Sequence, residues 1–388
     1  MLKQRILLCV TGGIAAYKAI DLASRLHKAG YQIRTILSED ALHFVSKINF
    51  EAITHSSVHT SLWEDEDPIP HISLADWADL IVVAPATANT IAKAAHGLAD
   101  NLLTATLLAH TKPILWIPAM NVNMYHNSIT QTNMDLLKER GHYLLDPSVG
   151  MLACAYEGKG KYPPNAEILY AIRTYLTHSR DLIGKKVMVT AGATIEHIDP
   201  MRMITNRSSG KMGISLARAL ALRGAEVTLV YGSVSEEIPY YLAETIYTPS
   251  VDEMHDAVIR EAKTKDWIIM CAAVSDFKPA LPQTKKIKKS EELDLNLVST
   301  PDILFELGAN KKASQLLIGF AAETQDIVEY AKQKLKKKNL DLIVANSLEN
   351  AGKETNSIIL IDSSGELAKL EGNKFDLAHQ IIDTVINI

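Results

Sequence analysis

Short apolar runs alternate with amphipathic stretches along the whole chain, and they do so in two rounds. "RILLCVT" (5–11) reads as a buried strand, because its apolar residues are continuous rather than alternating. A helix-period pattern follows from about Ala15 to Lys28, Gly30 stops it, and "QIRTIL" is the next strand. "ADLIVVAPAT", which Pro85 is expected to end, precedes a helix through Ala94, and "KPILWIPAM" closes at Pro118. The second round opens with "KKVMVTAG" (185–192) and a helix from about Gly210 to Leu222, stopped by Gly224 before "AEVTLVYG". "DWIIMCAAVSDF", "QLLIGFAAET" and "LDLIVAN" are further strands, with helices near 251–263 and 326–337. A hairpin over "SIILIDSSGELAKL" and a helix from about Lys374 finish the chain.

Strand–helix alternation of this kind predicts an α/β fold with parallel sheets. Two rounds predict two Rossmann-like domains, joined at the polar stretch Leu176–Gly184 and bounded as 1–181 and 182–388. The halves share architecture but no residue-level repeat, which reads as a fusion. Ligands on such sheets bind beyond the carboxyl ends of the strands. That rule singles out Gly12-Gly13, Pro85–Thr87 and Pro118–Asn121 in the first half.

At 388 residues the chain exceeds one ordinary core, in line with two domains. Hydrophobic residues at 47% and charged residues at 22% are those of a soluble globular protein, and the net charge of −5 argues against nucleic-acid coating. Three cysteines, Cys9, Cys154 and Cys271, supply no disulfide framework. Cys9 and Cys271 lie inside apolar strand runs, where a buried structural thiol is expected. No signal pattern and no apolar run of roughly 18 residues occurs, so a cytoplasmic location without membrane contact is expected.

Neither glycine loop is a dinucleotide fingerprint: G-x-G-x-x-G is absent from both, as is an acidic residue closing the second strand. "SSGKMG" fails as a Walker loop at Thr205 and Met212. "YAKQK" (330–334) matches the Tyr-x-x-x-Lys of short-chain dehydrogenases, which keeps an NAD(P)-dependent oxidoreductase as the alternative. A binding protein without catalysis is a third class, and the polar residues kept at strand ends argue against it.

Longer strings decide between these classes. "GGIAAYK" (12–18), "HISLADWAD" (71–79), "APATANTIAK" (84–93), "GLADNLL" (97–103), "PAMNVNMY" (118–125) and "LAC" (152–154) resemble the flavin-dependent cysteine decarboxylases, whose fold is flavodoxin-like. "VTAGATIEHIDPMRMITNRSSGKMG" (189–213), "AAVSDF" (272–277), "KIKK" (286–289), "TPDIL" (300–304), "GFAAET" (319–324) and "KKKNLDLIVAN" (336–346) resemble phosphopantothenate–cysteine ligase. In this order, over nearly the whole chain, they resemble the bifunctional phosphopantothenoylcysteine decarboxylase/phosphopantothenate–cysteine ligases of coenzyme A synthesis. The resemblance implies a CTP-dependent ligation of cysteine to 4′-phosphopantothenate, followed by an FMN-dependent decarboxylation. It also implies homo-oligomers, trimers through the decarboxylase domain and dimers through the ligase domain.

In the first half the loop Gly12-Gly13-Ile14 before a helix suits a phosphate, and Ser38 can add a hydroxyl. By resemblance Thr87, Asn89, Ala99, Asp100 and Asn101 contact the isoalloxazine and ribityl parts of FMN; the plainer reading is helix N-capping by Thr87 and Asp100. His71 is assigned as base or orienter beside the flavin, the plainer reading being a loop histidine solvated beside Asp76. Asn121 is assigned to the substrate carboxylate, and Met124 to packing on the ligand. Cys154, at the head of the polar stretch "CAYEGKGKYPP", reads as a proton donor on a flexible lid. Ala155 stands where relatives have glycine, which bears on the lid's geometry.

In the second half four phosphate charges require cations, and the local lysine runs supply them. By resemblance Lys286, Lys334 and Lys338 contact CTP, where the plainer reading is solvated surface. Asp276, Phe320 and Pro301, Asp302, Ile303 and Leu304 are assigned to the nucleotide pocket, and Asn206 to the acyl-cytidylate or the incoming amine. Mg²⁺ is expected with the triphosphate, although no cluster of ligand residues marks its site.

Overall fold

The continuous apolar runs become central strands because both of their faces are covered. In the computed structural model, which describes residues 3–63, 67–151, 157–288, 293–323, 326–347 and 353–388, the chain divides into units Met1–Ser179 and Arg180–Ile388. The α/β class with parallel sheets holds in both.

The first unit carries strands β1 (Arg5–Val10), β2 (Gln32–Leu37), β3 (Val58–His59), β4 (Leu80–Ala86), β5 (Ile114–Pro118) and β6 (Tyr143–Leu144). They form one parallel sheet in the order β3-β2-β1-β4-β5-β6. Strand order reverses between β1 and β4, so the loops that leave these two strands diverge and open a crevice. Residues 6–10 of β1 and all of β4 are buried. Pro85 does not end β4 as expected. The strand continues to Ala86 through a cis Ala84–Pro85 bond, and its register against β5 shifts between Val83 and Ala86. A proline has no N–H to give a ladder, and the irregularity accommodates that. An antiparallel hairpin of β7 (Ser148–Met151) and β8 (Glu157–Lys161) follows the sheet. Part of the stretch expected to be a flexible lid is therefore a paired strand.

The second unit has a mixed sheet of β9 (Lys186–Ala191), β12 (Glu226–Tyr231), β13 (Glu244–Tyr247), β14 (Trp267–Met270), β17 (Leu316–Glu323), β18 (Leu342–Ser347), β19 (Thr355–Asp362) and β20 (Gly365–Asn373). Its order is β13-β12-β9-β14-β17-β18-β19-β20, antiparallel only at the last two pairings. Two short hairpins, β10 (Ile195–His197) with β11 (Met203–Thr205) and β15 (Phe277–Pro279) with β16 (Leu297–Ser299), stand apart from it. The order reverses between β9 and β14, which again places a crevice at the loops that follow them. Gly210 starts the helix Lys211–Leu222 at φ 73°, and a Cβ there would meet the Val234 side chain at 2.5 Å, so the turn requires glycine. Among the described residues no helix is long and apolar enough to cross a membrane.

Candidate functional site

In each unit a cavity opens where the strand order reverses. The cavity of the first unit has a volume of about 580 Å³ and is walled by three strand-end loops, with the β8 end and Met151 closing the side. That volume is ordinary for a cofactor site. Gly12, Gly13 and Ile14 follow β1 and line it, as do Thr87 after β4 and Asn121 and Met124 after β5. The loop at Gly12 has to be glycine: a Cβ would sit 2.3 Å from that of Asp40. Thr11 ties two walls together, its hydroxyl donating to Pro85 O at 2.7 Å and accepting from Thr87 N at 3.1 Å. Asn121 caps the short helix Val122–His126, its Oδ1 accepting from Asn123 N at 2.8 Å. The β8 strand is held against this turn by Met120 N donating to Gly160 O at 3.0 Å.

Of the other expected flavin residues only Thr87 lines this cavity. Ser38 caps the turn Glu39–His43, accepting from Ala41 N at 3.2 Å, on the segment that crowds Gly12. Thr87 caps the helix Ala88–Ala95, as the plainer reading had it, while still lining the cavity. Asp100 does not cap: Asn101 does, accepting from Thr104 N at 3.0 Å, and Asp100 pairs with Lys93 at 2.6 Å. Asn89, Ala99 and Asp100 are exposed. His71 is not on a loop but in the helix Pro70–Trp77, half-buried, with an Nδ1 that is buried and unpartnered. Neither His71 nor the Ala99–Asn101 turn lines this chain's cavity. Cys154 and Ala155 lie outside the described residues.

An apolar slot flanked by Pro85, Ala119 and Met120, with a glycine loop and a helix N-terminus at one end, fits a flat ring system carrying a phosphate. FMN is such a group. Residues that the sequence reading passed over also line the slot: Lys18, Lys161 and Tyr162. Lys18 was legible, four residues after Ile14 in the same motif; the other two had no local signal.

The cavity of the second unit, about 920 Å³, collects Asn206, Asp276, Pro301, Asp302, Ile303, Leu304, Phe320, Lys334 and Lys338. Asn206 is oriented by its own Nδ2, which donates to Val274 O at 3.0 Å and Ala273 O at 3.3 Å. Lys334 Nζ donates to Phe320 O at 2.8 Å, and Lys338 pairs with Asp302. Burial holds Lys338 below the usual lysine range, against the opposing pull of Asp276. Cys271 is not inside a strand as expected: it stands one residue past β14 and lines the cavity. Burial pushes its thiol up to about 12, with Lys374 pulling the other way. Lys211 and Lys374, both missed in the sequence, line the same cavity. Among the described residues no three His, Cys, Asp or Glu side chains converge to hold a metal ion.

Lys286 is exposed and does not line this cavity. Its neighbour Ile287 is nonetheless anchored, donating its N–H to Asp199 Oδ2 at 3.1 Å. Asp199 also accepts from Met201 N at 2.7 Å and Arg202 N at 2.8 Å, and pairs with Arg202 at 2.5 Å. Burial pushes the Asp199 carboxyl up, but these four donors overcome it and bring it down to about 2. A carboxyl lowered below its unfolded value of about 3.9 contributes stability above that pH and loses it as pH falls toward 2. Asp199→Ala is therefore expected to release 284–288, and trypsin should cut after Lys285, Lys286 and Lys288 several-fold faster at neutral pH. Unchanged cleavage would mean that Asp199 does not hold this arm.

Residues 1–177 match the Flavoprotein family, and residues 182–388 match the family described as DNA/pantothenate metabolism flavoprotein, C-terminal domain. The Coenzyme A biosynthesis bifunctional protein CoaBC of Bacillus subtilis is 44% identical over 396 residues, covering 99% of this chain and 97% of that protein. Its counterpart in Haemophilus influenzae is 40% identical over 389 residues, covering 99% and 97%. A solved structure of the C-terminal domain of such a protein covers 53% of this chain and 96% of its own, at 37% identity and a TM-score of 0.47. The likeness runs to coenzyme A synthesis, and the NAD(P) alternative is set aside.

Proposed function

This chain belongs to the family of coenzyme A biosynthesis bifunctional proteins, and from that premise we propose how its residues divide the two reactions. The full-length likeness, at 44% identity over 99% of the chain, carries the reading. Residues 1–181 are assigned to the FMN-dependent decarboxylation of 4′-phosphopantothenoylcysteine, and 182–388 to the CTP-dependent ligation that makes it. A cytoplasmic enzyme is the corresponding location.

In the ligase unit the carboxylate of 4′-phosphopantothenate attacks the α-phosphate of CTP and pyrophosphate leaves. The amine of cysteine then attacks the acyl carbon and CMP leaves. Phe320 and Pro301–Leu304 offer the base an apolar slot, and Lys334 and Lys338 offer charge to the phosphates. Asp276 lines the same cavity and is assigned to the nucleotide. Because the Asn206 amide group spends its N–H donors on backbone carbonyls, its Oδ1 is the atom left for the cavity. An acceptor there orients the N–H of the incoming amine. Lys286 is kept as a phosphate-facing cation, presented by the arm that Asp199 anchors. Mg²⁺ accompanies the triphosphate, and no step is assigned to it.

In the decarboxylase unit FMN, when bound, supplies the oxidation of the substrate's thiol-bearing carbon that makes loss of CO₂ feasible, and the reduction that follows. Gly12, Gly13 and Ile14 hold its phosphate end. Asn121 orients the carboxylate that departs, Met124 packs on the substrate, and Cys154 returns a proton to the enethiolate. His71 and the Ala99–Asn101 turn complete a neighbouring subunit's cavity in a trimer, the ligase units forming dimers. Exposed apolar residues beside them support this placement: Ile69 and Leu98 are 52% and 56% exposed, and Leu108 on the adjoining helix Leu102–Ala109 is 61% exposed.

Sharing of this kind has a direct test. His71→Asn and Asn121→Ala proteins should each lack decarboxylase activity. Mixed in equal amounts under conditions that exchange subunits, they should regain activity at roughly a quarter of the sites, where both intact residues meet by random assembly. No recovery in demonstrably mixed oligomers would put His71 in its own chain's site or outside the mechanism.

A further inference from the structure

Two lysines and a tyrosine, Lys18, Lys161 and Tyr162, meet at one side of the decarboxylase cavity. Lys18 and Lys161 both line it, and Lys18 Nζ sits 5.4 Å from the centroid of the Tyr162 ring. Burial, and next the charge of Lys161, holds Lys18 below the usual lysine range. Two ammonium groups thus face one cavity and repel each other. Among the described residues neither has a carboxylate in ion-pair range, and the next carboxylate along the helix, Asp21, is taken by Arg25 at 2.6 Å and the Asn165 amide at 2.8 Å. Tyr162 is 3% exposed, and its hydroxyl is buried without a hydrogen-bond partner. Burial raises its pKa, so the phenol stays a donor. A buried orphan donor beside two unneutralised cations costs free energy unless something fills the gap. The filler has to be an acceptor with close to two negative charges. A carboxylate offsets one ammonium, whereas a phosphate monoester carries about −1.5 to −2 at neutral pH and has three acceptor oxygens.

We propose that Lys18, Lys161 and Tyr162 form a phosphate-monoester subsite of the decarboxylase cavity, and that the 4′-phosphate of the substrate occupies it. The inference rests on the decarboxylase reading of this unit. The phosphate of FMN is the other source of the same chemistry, but it already has the Gly12–Ile14 backbone cradle. Lys161 and Tyr162 come from the end of β8 rather than from the Gly12–Ile14 loop, so the second phosphate is assigned a place of its own beside them. The subsite explains how an enzyme acting at a cysteine carboxylate can require a phosphate at the far end of its substrate: the remote charge positions the reacting end.

The full-length chain and its Lys161→Gln and Tyr162→Phe variants are compared with 4′-phosphopantothenoylcysteine and with its dephosphorylated form, measuring CO₂ release and the flavin retained on purification. Tyr162→Phe keeps the ring and removes only the donor. KM for the phosphorylated substrate is expected to rise about 10- to 100-fold in Lys161→Gln and less in Tyr162→Phe, with native flavin content. The native preference for the phosphorylated substrate should shrink by the same factor. Equal losses on both substrates, or no loss on either, would overturn the subsite. Loss of flavin would assign the cluster to the cofactor's phosphate and overturn the substrate assignment. CO₂ release from neither substrate by the native chain would sink the decarboxylase reading itself, which separates the two failures.

Discussion

Replacing Arg223 with alanine is expected to unfold the ligase unit at temperatures the native protein tolerates. Arg223 is 1% exposed and holds Asp181 and Asp383 at 2.5 Å each, stitching the segment before β9 to the C-terminal helix Lys374–Ile386. Removing the fully buried side chain leaves a cavity and breaks both ion pairs at once, a loss of about 3 to 5 kcal/mol. In a unit of this size that lowers the melting temperature by roughly 10 °C or more. Asp383→Asn should cost far less, since that side chain is 46% exposed and water can replace the ion pair. Thermal unfolding followed with CTP-dependent ligation distinguishes the two variants. An Arg223→Ala protein as stable as the native one would mean that the buried guanidinium only offsets its own desolvation.

Asn206→Asp is expected to divide the ligase reaction in two. The native Nδ2 donates to Val274 O and Ala273 O, and a carboxylate oxygen in its place would face those carbonyls without a proton to give. The side chain must turn away, taking the Oδ1 acceptor with it. Attack on CTP does not use that acceptor, so one equivalent of pyrophosphate should appear per site in a burst. Transfer to cysteine should then slow by about 10² to 10³-fold, and acyl-cytidylate should accumulate. Labelled CTP and 4′-phosphopantothenate, mixed without and then with cysteine, separate the phases. A variant that makes no acyl-cytidylate would put Asn206 in the first step instead.

What the sequence disclosed follows from how local each signal is. The strands "RILLCVT" and "KKVMVTAG" were legible because both of their faces are buried, which writes an unbroken apolar run. The loops after them were legible because strand order places ligands at strand ends. Leu102–Ala109 was not foreseen as a separate helix: "LLTATLLA" is apolar on nearly every side, so no 3.6-residue period marks it. Cys271 was misread because the apolar run continues past the last paired residue, Met270. The Lys18–Lys161 cluster joins residues 143 positions apart by numbering, a meeting that only the fold arranges. His71 and Lys286 mark the opposite case. Their motifs were plain in the sequence, yet neither lines the cavity of its own chain, so the roles proposed for them require assembly or movement of an arm.

The central claim is that one chain makes a cysteine amide and then removes the carboxyl group that cysteine brought. Cysteine labelled in its carboxyl carbon, supplied to the native protein with 4′-phosphopantothenate and CTP, tests it directly. Labelled CO₂ should appear only when all three substrates are present, after a lag while the amide accumulates, and should approach one equivalent per CMP formed. Labelled CO₂ without CTP, or CMP formed from cysteine with no CO₂ at any time, would contradict the account.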